Sequence, residues 1–303
     1  MRRLSVVLVV AAVATMLLPS ARGAEPVRYR DEVFSSIKTT KDLKYGEAVN
    51  YKGEMQDLLL DVHEPAGDTA KIRAAVVWVH GGYFIRGSKE SESYVAAWTH
   101  LVKAGYVTVA INYRLQDPET FPEGAGPAVT GLEIQRYIDA VLDAQHDAQA
   151  AIRWVRKNAK KYKVNPEQVA IAGHSAGGIT AQQVNYNDHD PGTSGNPGYS
   201  SRPDATVSSA GTGLPVLMTR VDPLEPPMLM THGLSDNVVP FMPFNCAAAL
   251  ALANTCELVL DPDQGHGQFG FEYWREFLYR QMIAKPNGLR PTTNVTLTGV
   301  PGA

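Results

Sequence analysis

Three residues far apart in the chain, each in a loop that follows a short apolar run, could do chemistry together: Ser175, Asp236 and His266. Ser175 is the centre of Gly173-His174-Ser175-Ala176-Gly177, which fits G-x-S-x-G between an apolar run and a helix-like stretch. In that setting the serine sits on a sharp strand-to-helix turn, with its hydroxyl exposed above a sheet. A serine hydroxyl becomes a nucleophile only if a base removes its proton, an acid orients the base, and donors receive the oxyanion. His266 in Gly265-His266-Gly267 is the candidate base, and Asp236 in Asp236-Asn237-Val238-Val239-Pro240 is the candidate acid. Their chain order, Ser then Asp then His, is that of a nucleophile elbow and its partners.

Competing residues have weaker contexts. His63, His100 and His146 fall in strand or helix patterns, and His189 lies in a glycine-rich stretch. His80 opens the candidate oxyanion turn, His174 lies inside the elbow and His232 precedes the acid. Asp261 and Asp263 are close to His266, but read better as shaping its loop than as its partner. Oxyanion donors are expected from the backbone N-H of Ala176 and from the turn His80-Gly81-Gly82-Tyr83, with Gly82 and Tyr83 supplying two amides. Tyr83, Phe84, Tyr199 and Phe269 are candidate walls of a substrate pocket. The proposed chemistry needs no cofactor and no metal, and Asp188-His189-Asp190 reads as a solvated loop.

The elements that must position these residues alternate. Short stretches, most of them apolar, at about 58–62, 74–79, 107–112, 169–172, 206–209, 228–231 and 257–260 read as strands. Amphipathic stretches at about 94–104, 138–162, 244–253 and 269–283 read as helices, the first closed by Gly105 at its C′ position. Strands alternating with helices predict a doubly wound, mostly parallel sheet covered on both faces, an α/β fold with no large cap domain. Residues 24–45 read as an N-terminal arm, 46–284 as the domain, and 285–303 as a disordered tail carrying the sequon Asn294-Val295-Thr296. Residues 115–127 read as a Pro-, Glu- and Gly-rich loop, and 185–203 as a mobile loop near the serine.

Composition narrows the partners. With 303 residues, 44% hydrophobic and 19% charged, the chain suits one domain with a sizeable core. Residues 1–23 have two early arginines, an apolar run too short for a membrane span and small residues at Ala21-Arg22-Gly23, the pattern of a signal peptide. Its removal shifts the formal charge from −3 to −6, because three arginines and no acids leave. A mildly acidic chain without a basic run is expected to bind neither nucleic acid nor an anionic membrane, and no stable membrane anchor is expected once the leader is gone. Export would permit a disulfide between Cys246 and Cys256, although an intervening helix could hold them apart. A secreted or periplasmic location is therefore expected.

Taken together, the motifs resemble α/β-hydrolase-fold esterases and lipases of the HGGG-bearing carboxylesterase group, and are most similar to its branch of secreted acetyl-xylan and feruloyl esterases. The stretches that carry the likeness are Leu60-Asp61-Val62-His63-Glu64-Pro65, His80 to Phe84 with Gly87-Ser88-Lys89, Asn112-Tyr113-Arg114-Leu115, the elbow, and the loops of Asp236 and His266. The resemblance implies hydrolysis of short acyl or aryl carboxylic esters, small or polysaccharide-linked, through an acyl-enzyme. Tyr83 departs from the glycine usual in that group and is similar to the HGGYW of kynurenine formamidases; an aromatic there narrows the acyl pocket. Amide or peptide cleavage by the same residues is the alternative, and a non-catalytic binding protein on the same scaffold is a third reading. Oligomeric state is left open.

Overall fold

The stretches Ala74 to Val79 and Val107 to Ile111, on central strands, are buried throughout and almost wholly apolar because both faces of the sheet are covered. The computed structural model describes residues 25–119, 132–213, 221–284 and 294–298. The signal-peptide segment, much of the 115–127 loop and most of the 285–303 tail lie outside the described residues. Nine strands are described: β1 (Ile37–Val49), β2 (Met55–Pro65), β3 (Arg73–Val79), β4 (Val107–Ile111), β5 (Val164–His174), β6 (Thr206–Ser209), β7 (Met228–Gly233), β8 (Cys256–Asp261) and β9 (Val295–Leu297). They form one sheet in the order β1-β2-β4-β3-β5-β6-β7-β8-β9. β1 and β2 are antiparallel, as are β2 and β4, and every later pairing is parallel. This is the mostly parallel sheet that the alternation predicts.

The helices are α1 (Glu92–Ala104), α2 (Leu132–Lys157), α3 (Ala159–Tyr162), α4 (Ala176–Tyr186), α5 (Phe244–Ala251) and α6 (Phe271–Leu278), the last continued by a π-helical turn at Tyr279–Ala284. Because successive strand side chains point to opposite faces, β3 feeds two cores. Ala75, Val77 and Val79 join Ile152 of α2 and Ile179 of α4 in one cluster. Ala74, Val76 and Trp78 join Leu101 of α1 and Trp274 of α6 in the other. Gly105 closes α1 with φ 114°, and its N-H reaches the carbonyls of Leu101 and Val102, as the C′ reading requires.

Two edge strands depart from the sequence reading. β1 begins within what reads as an arm and takes in its residues 37–45, and β9 lies in what reads as a disordered tail. Both are largely exposed edges, with Tyr45 the buried residue of β1, so neither carries the apolar run that marks an inner strand. Also buried is a bidentate pair: Arg114, after β4, grips Asp147 of α2 through Nε and Nη2, with Nη1 on the carbonyl of Val49.

Cys246 and Cys256 are bridged, with their Cα atoms 5.3 Å apart. Cys246 lies in the first turn of α5, and the chain reverses after only eight helical residues, so Cys256 at the start of β8 returns beside it. Closing so short a loop restricts the unfolded chain by about 3 kcal/mol in the entropy model. The double substitution Cys246→Ala, Cys256→Ala is therefore expected to cost about 2–3 kcal/mol, read as a lower melting temperature with activity at 25 °C retained.

Candidate active site

Register brings the reactive loops together. Val79 at the end of β3 lies beside Gly173 of β5, His174 beside Ser209 of β6, Ser209 beside Thr231 of β7, and Gly233 of β7 beside Asp261 of β8. The carboxyl ends of β3, β5, β7 and β8 thus share one edge of the sheet. From that edge emerge the HGGY turn, the elbow, the Asp236 loop and the His266 loop, where parallel α/β sheets place their ligands.

At the elbow Ser175 has φ 56° and ψ −121°, a strained conformation for a residue with a side chain. It is held because the Ser175 N-H donates to Ser209 O at 2.9 Å and the Ser175 carbonyl accepts from Ile179 N-H. The turn is too tight for side chains at its glycines: a Cβ on Gly173 would fall 2.3 Å from Gly177 O, and one on Gly177 would fall 2.1 Å from Val79 O. The strain places the serine hydroxyl above the sheet.

His266 Nε2 lies 2.9 Å from Ser175 Oγ, and its Nδ1 lies 2.8 Å from Asp236 Oδ2. Asp236 Oδ1 accepts the amides of Val238 and Val239 at 2.9 Å each. Burial works against ionisation of Asp236, but the bonds from His266 and these amides outweigh it and hold the carboxyl below its usual range. An ionised Asp236 requires the proton of a neutral His266 to sit on Nδ1, which leaves the Nε2 lone pair facing the hydroxyl. Asp261 is engaged elsewhere, by Thr298 Oγ1 and the Asp263 amide, and the Asp263 carboxylate is exposed.

Across the cleft, Gly82, Tyr83 and Phe84 have φ of 126°, 57° and 66° in succession. This left-handed run separates the two aromatics. Tyr83 faces the cleft with the Arg86 guanidinium 5.0 Å from its ring centre, whereas Phe84 is driven into the core against Tyr113 and Tyr137. The cleft has a volume of about 490 Å³ and is lined by Gly82, Tyr83, Tyr94, Ser175, His266 and Phe271 among others.

Three pocket expectations are corrected. Phe84 is only 1% exposed and is a core residue, not a wall. Phe269 packs against the α1/α6 core, and Phe271 stands in the cleft instead. Tyr199 is exposed and lies far from the serine: α4 starts at the elbow and its 11 residues carry the chain about 16 Å toward the opposite sheet edge before residues 187–204 begin. That segment is no loop near the serine; Arg153 binds its carbonyls at Pro191 and Gly195, and Asn196 binds Tyr45 O.

Two supports have no role in the sequence reading. Lys89 Nζ is buried and meets Asp61 at 2.9 Å, Asp42 at 2.8 Å and Glu90, tying the segment after the HGGY turn to β2. Those three acids are spaced as a metal cluster would be, and the lysine ammonium stands among them. His232, 0% exposed, donates from Nε2 to Val239 O at 2.8 Å and lies 3.4 Å from Asp236, bracing the acid loop from behind. Burial is the signal for both: a cation or imidazole in a motif flanked by apolar strands needs a buried partner.

Histidine burial also sets acid stability. Burial lowers His63 to about 4, His80 to about 4 and His174 to about 3, and it lowers His232 as well. Unfolded histidines titrate near 6.5, so between that value and about 4 the unfolded chain binds protons that the folded chain refuses. Their contribution is complete above pH 6.5 and is lost as pH falls. Each histidine steepens the loss by about 1.4 kcal/mol per pH unit. Melting temperature is expected to drop sharply from pH 6.5 to pH 4, and His63→Gln, which removes one such group, is expected to flatten that slope.

A mostly parallel sheet with a strained serine elbow, a His-Asp pair on later loops and a glycine turn opposite is the α/β-hydrolase fold. The BD-FAE family model matches residues 60–125 and 125–209. Carboxylesterase 1C of Rattus norvegicus is 37% identical over 128 residues, which are 42% of this chain and 21% of that one. The chain thus spans about a fifth of that relative's length. Thermogutta terrifontis esterase 2, in a structure phosphorylated by paraoxon, is 26% identical with a TM-score of 0.62, covering 80% of this chain and 94% of that one. A truncated carbohydrate esterase from gut microbiota shares the fold at 22% identity and a TM-score of 0.61, covering 83% of this chain and 98% of that one. The chain thus has the α/β-hydrolase fold and is similar to carboxylesterases over part of its length.

Proposed function

We propose that the protein hydrolyses short acyl or aryl carboxylic esters, with Ser175 as nucleophile, His266 as base and then acid, and Asp236 as the group that orients His266. One observation carries this reading: the unbroken relay of Ser175 Oγ to His266 Nε2 at 2.9 Å and His266 Nδ1 to Asp236 Oδ2 at 2.8 Å. His266 takes the hydroxyl proton as Ser175 Oγ bonds to the carbonyl carbon, and returns it to the leaving alcohol as the acyl-enzyme forms. Water, deprotonated by the same imidazole, then releases the acid and restores Ser175. The amides of Gly82, Tyr83 and Ala176 are assigned to the oxyanion, each worth roughly 3–4 kcal/mol to the transition state.

Related chemistry supports the assignment. Thermogutta terrifontis esterase 2 is phosphorylated by paraoxon, and an organophosphate captures an activated nucleophile of the kind assigned to Ser175. Small esters and polysaccharide-linked esters both suit a cleft that lies open at the sheet edge, with Tyr83 limiting the acyl side. We further assign residues 1–23 to an export leader, consistent with the bridged cysteines. No helix among the described residues is long and apolar enough to cross a membrane.

Turnover of p-nitrophenyl acetate against the matching anilide tests the reaction class. The ester is expected to turn over faster, and faster anilide cleavage would move the assignment to an amidase. A fluorophosphonate probe is expected to label the protein at Ser175; folded protein that takes no label would leave a binding scaffold.

A further inference from the structure

The first turn of α1 supplies the cleft with a polar group that the relay does not use. Tyr94 is the third residue of that helix, and its ring enters the cleft between His80, 6.5 Å away centre to centre, and His174, at 5.8 Å. Gly81 makes room for it. A Cβ at that position would fall 2.6 Å from the Tyr94 hydroxyl oxygen, 2.9 Å from His174 O and 3.0 Å from Ser175 Cβ. Phenol and nucleophile therefore flank one point in space, directly beside the backbone that continues into Gly82 and Tyr83. Glycine at position 81 is required by this approach as much as by the turn.

The phenol is also in the right protonation state. Burial pushes it up from its ordinary value, against Arg86, the Gly81 amide and the Ser93 side chain, so its O-H persists at neutral pH. Both imidazoles packed against the ring are held neutral by burial, and each Nδ1 is engaged elsewhere, with Gly81 O for His80 and Ser209 Oγ for His174.

We propose that Tyr94 is a catalytic residue whose O-H donates a hydrogen bond to the substrate oxygen that becomes negative when Ser175 attacks, beside the amides of Gly82, Tyr83 and Ala176. The proton stays on the phenol throughout; the interaction strengthens as charge develops and fades when the carbonyl reforms. This inference rests on the reading of Ser175 as nucleophile. It differs from that reading in assigning part of the oxyanion site to a side chain, which mutation can delete without moving the backbone.

Tyr94→Phe removes one oxygen and keeps the ring. Its expected effect is a roughly 10- to 100-fold fall in kcat on p-nitrophenyl acetate, below the loss for a sole donor because three amides remain. KM is expected to stay unchanged, since the contact is made only in the transition state. A trifluoromethyl ketone, which forms a tetrahedral adduct with the serine, is expected to bind more weakly by the same factor. Melting temperature and fluorophosphonate labelling are measured on the same preparations. Labelled, folded Tyr94→Phe with wild-type kcat or wild-type affinity for the ketone overturns the role of Tyr94. Failure of wild-type protein to label overturns the nucleophile assignment instead, so the two failures are told apart.

Discussion

Ser175→Ala is expected to lower kcat on p-nitrophenyl acetate by roughly 10⁶-fold while leaving the protein folded. The substitution deletes only the hydroxyl. Elbow geometry depends on main-chain bonds, Ser175 N-H to Ser209 O and Ile179 N-H to Ser175 O, and alanine keeps both. What disappears is the atom 2.9 Å from His266 Nε2, and with it the acyl-enzyme route. A residue of activity is expected to survive, because the amides of Gly82, Tyr83 and Ala176 can still stabilise attack by water; in serine hydrolases that remnant is roughly 10³–10⁴ over the uncatalysed reaction. Kinetics and intact-protein mass after exposure to a fluorophosphonate check the expectation together. A variant that still labels, or that loses less than tenfold in kcat, would show that a different residue carries the nucleophile.

The variant also separates catalysis from strain. Left-handed backbone at a non-glycine residue costs on the order of 1–3 kcal/mol, and Ser175 shares that cost with Tyr83 and Phe84 across the cleft. Ser175→Gly would relieve the elbow and is expected to melt slightly higher than Ser175→Ala, unlike a serine placed in relaxed backbone. The protein holds these conformations because the surrounding sheet fixes both ends of each turn.

How far the sequence reaches follows from the same physics. Most inner strands were legible because burial on both faces favours apolar runs, as in Val107–Ile111, which is β4 and lies within the stretch 107–112 read as a strand. The reactive loops were legible because each follows such a strand, and the structure brings Ser175, Asp236 and His266 within hydrogen-bond reach. Edge strands were not. β1 is exposed along most of its length, so the core imposes no pattern on it. The pocket failed for a different reason. Phe84 sits next to Tyr83 in sequence, yet two successive left-handed residues turn one ring to the cleft and the other to the core, and no spacing rule encodes that. Tyr199 was misplaced because a helix of 11 residues moves its following loop to the far edge of the sheet. His232 and Lys89 became meaningful only once their depth was known, since their partners lie on other strands or on the far side of a loop.

Asp236→Asn is the second large effect, expected to lower kcat by about 10⁴-fold with little loss of fold. The asparagine carbonyl can keep the amides of Val238 and Val239 that Asp236 Oδ1 now accepts, which fixes the side-chain amide group toward His266. There an N-H donor faces His266 Nδ1, so the imidazole must carry its proton on Nε2 and present a donor, not a lone pair, to Ser175 Oγ. The base is lost although every heavy atom stays in place. His232 Nε2 lies 3.4 Å from the same carboxylate oxygen, but its proton is committed to Val239 O, so the amides of Val238 and Val239 set the orientation of the new side chain. Asp236→Ala lacks that wrong-way donor and admits water or added formate, so it is expected to be no worse than Asp236→Asn and to recover in part with formate. Rates on p-nitrophenyl acetate with and without formate decide the matter. Wild-type-like activity in Asp236→Asn would pass the orienting role to another acid, and the Asp261 carboxylate, bound to Thr298 and the Asp263 amide, would have to break both contacts to take it.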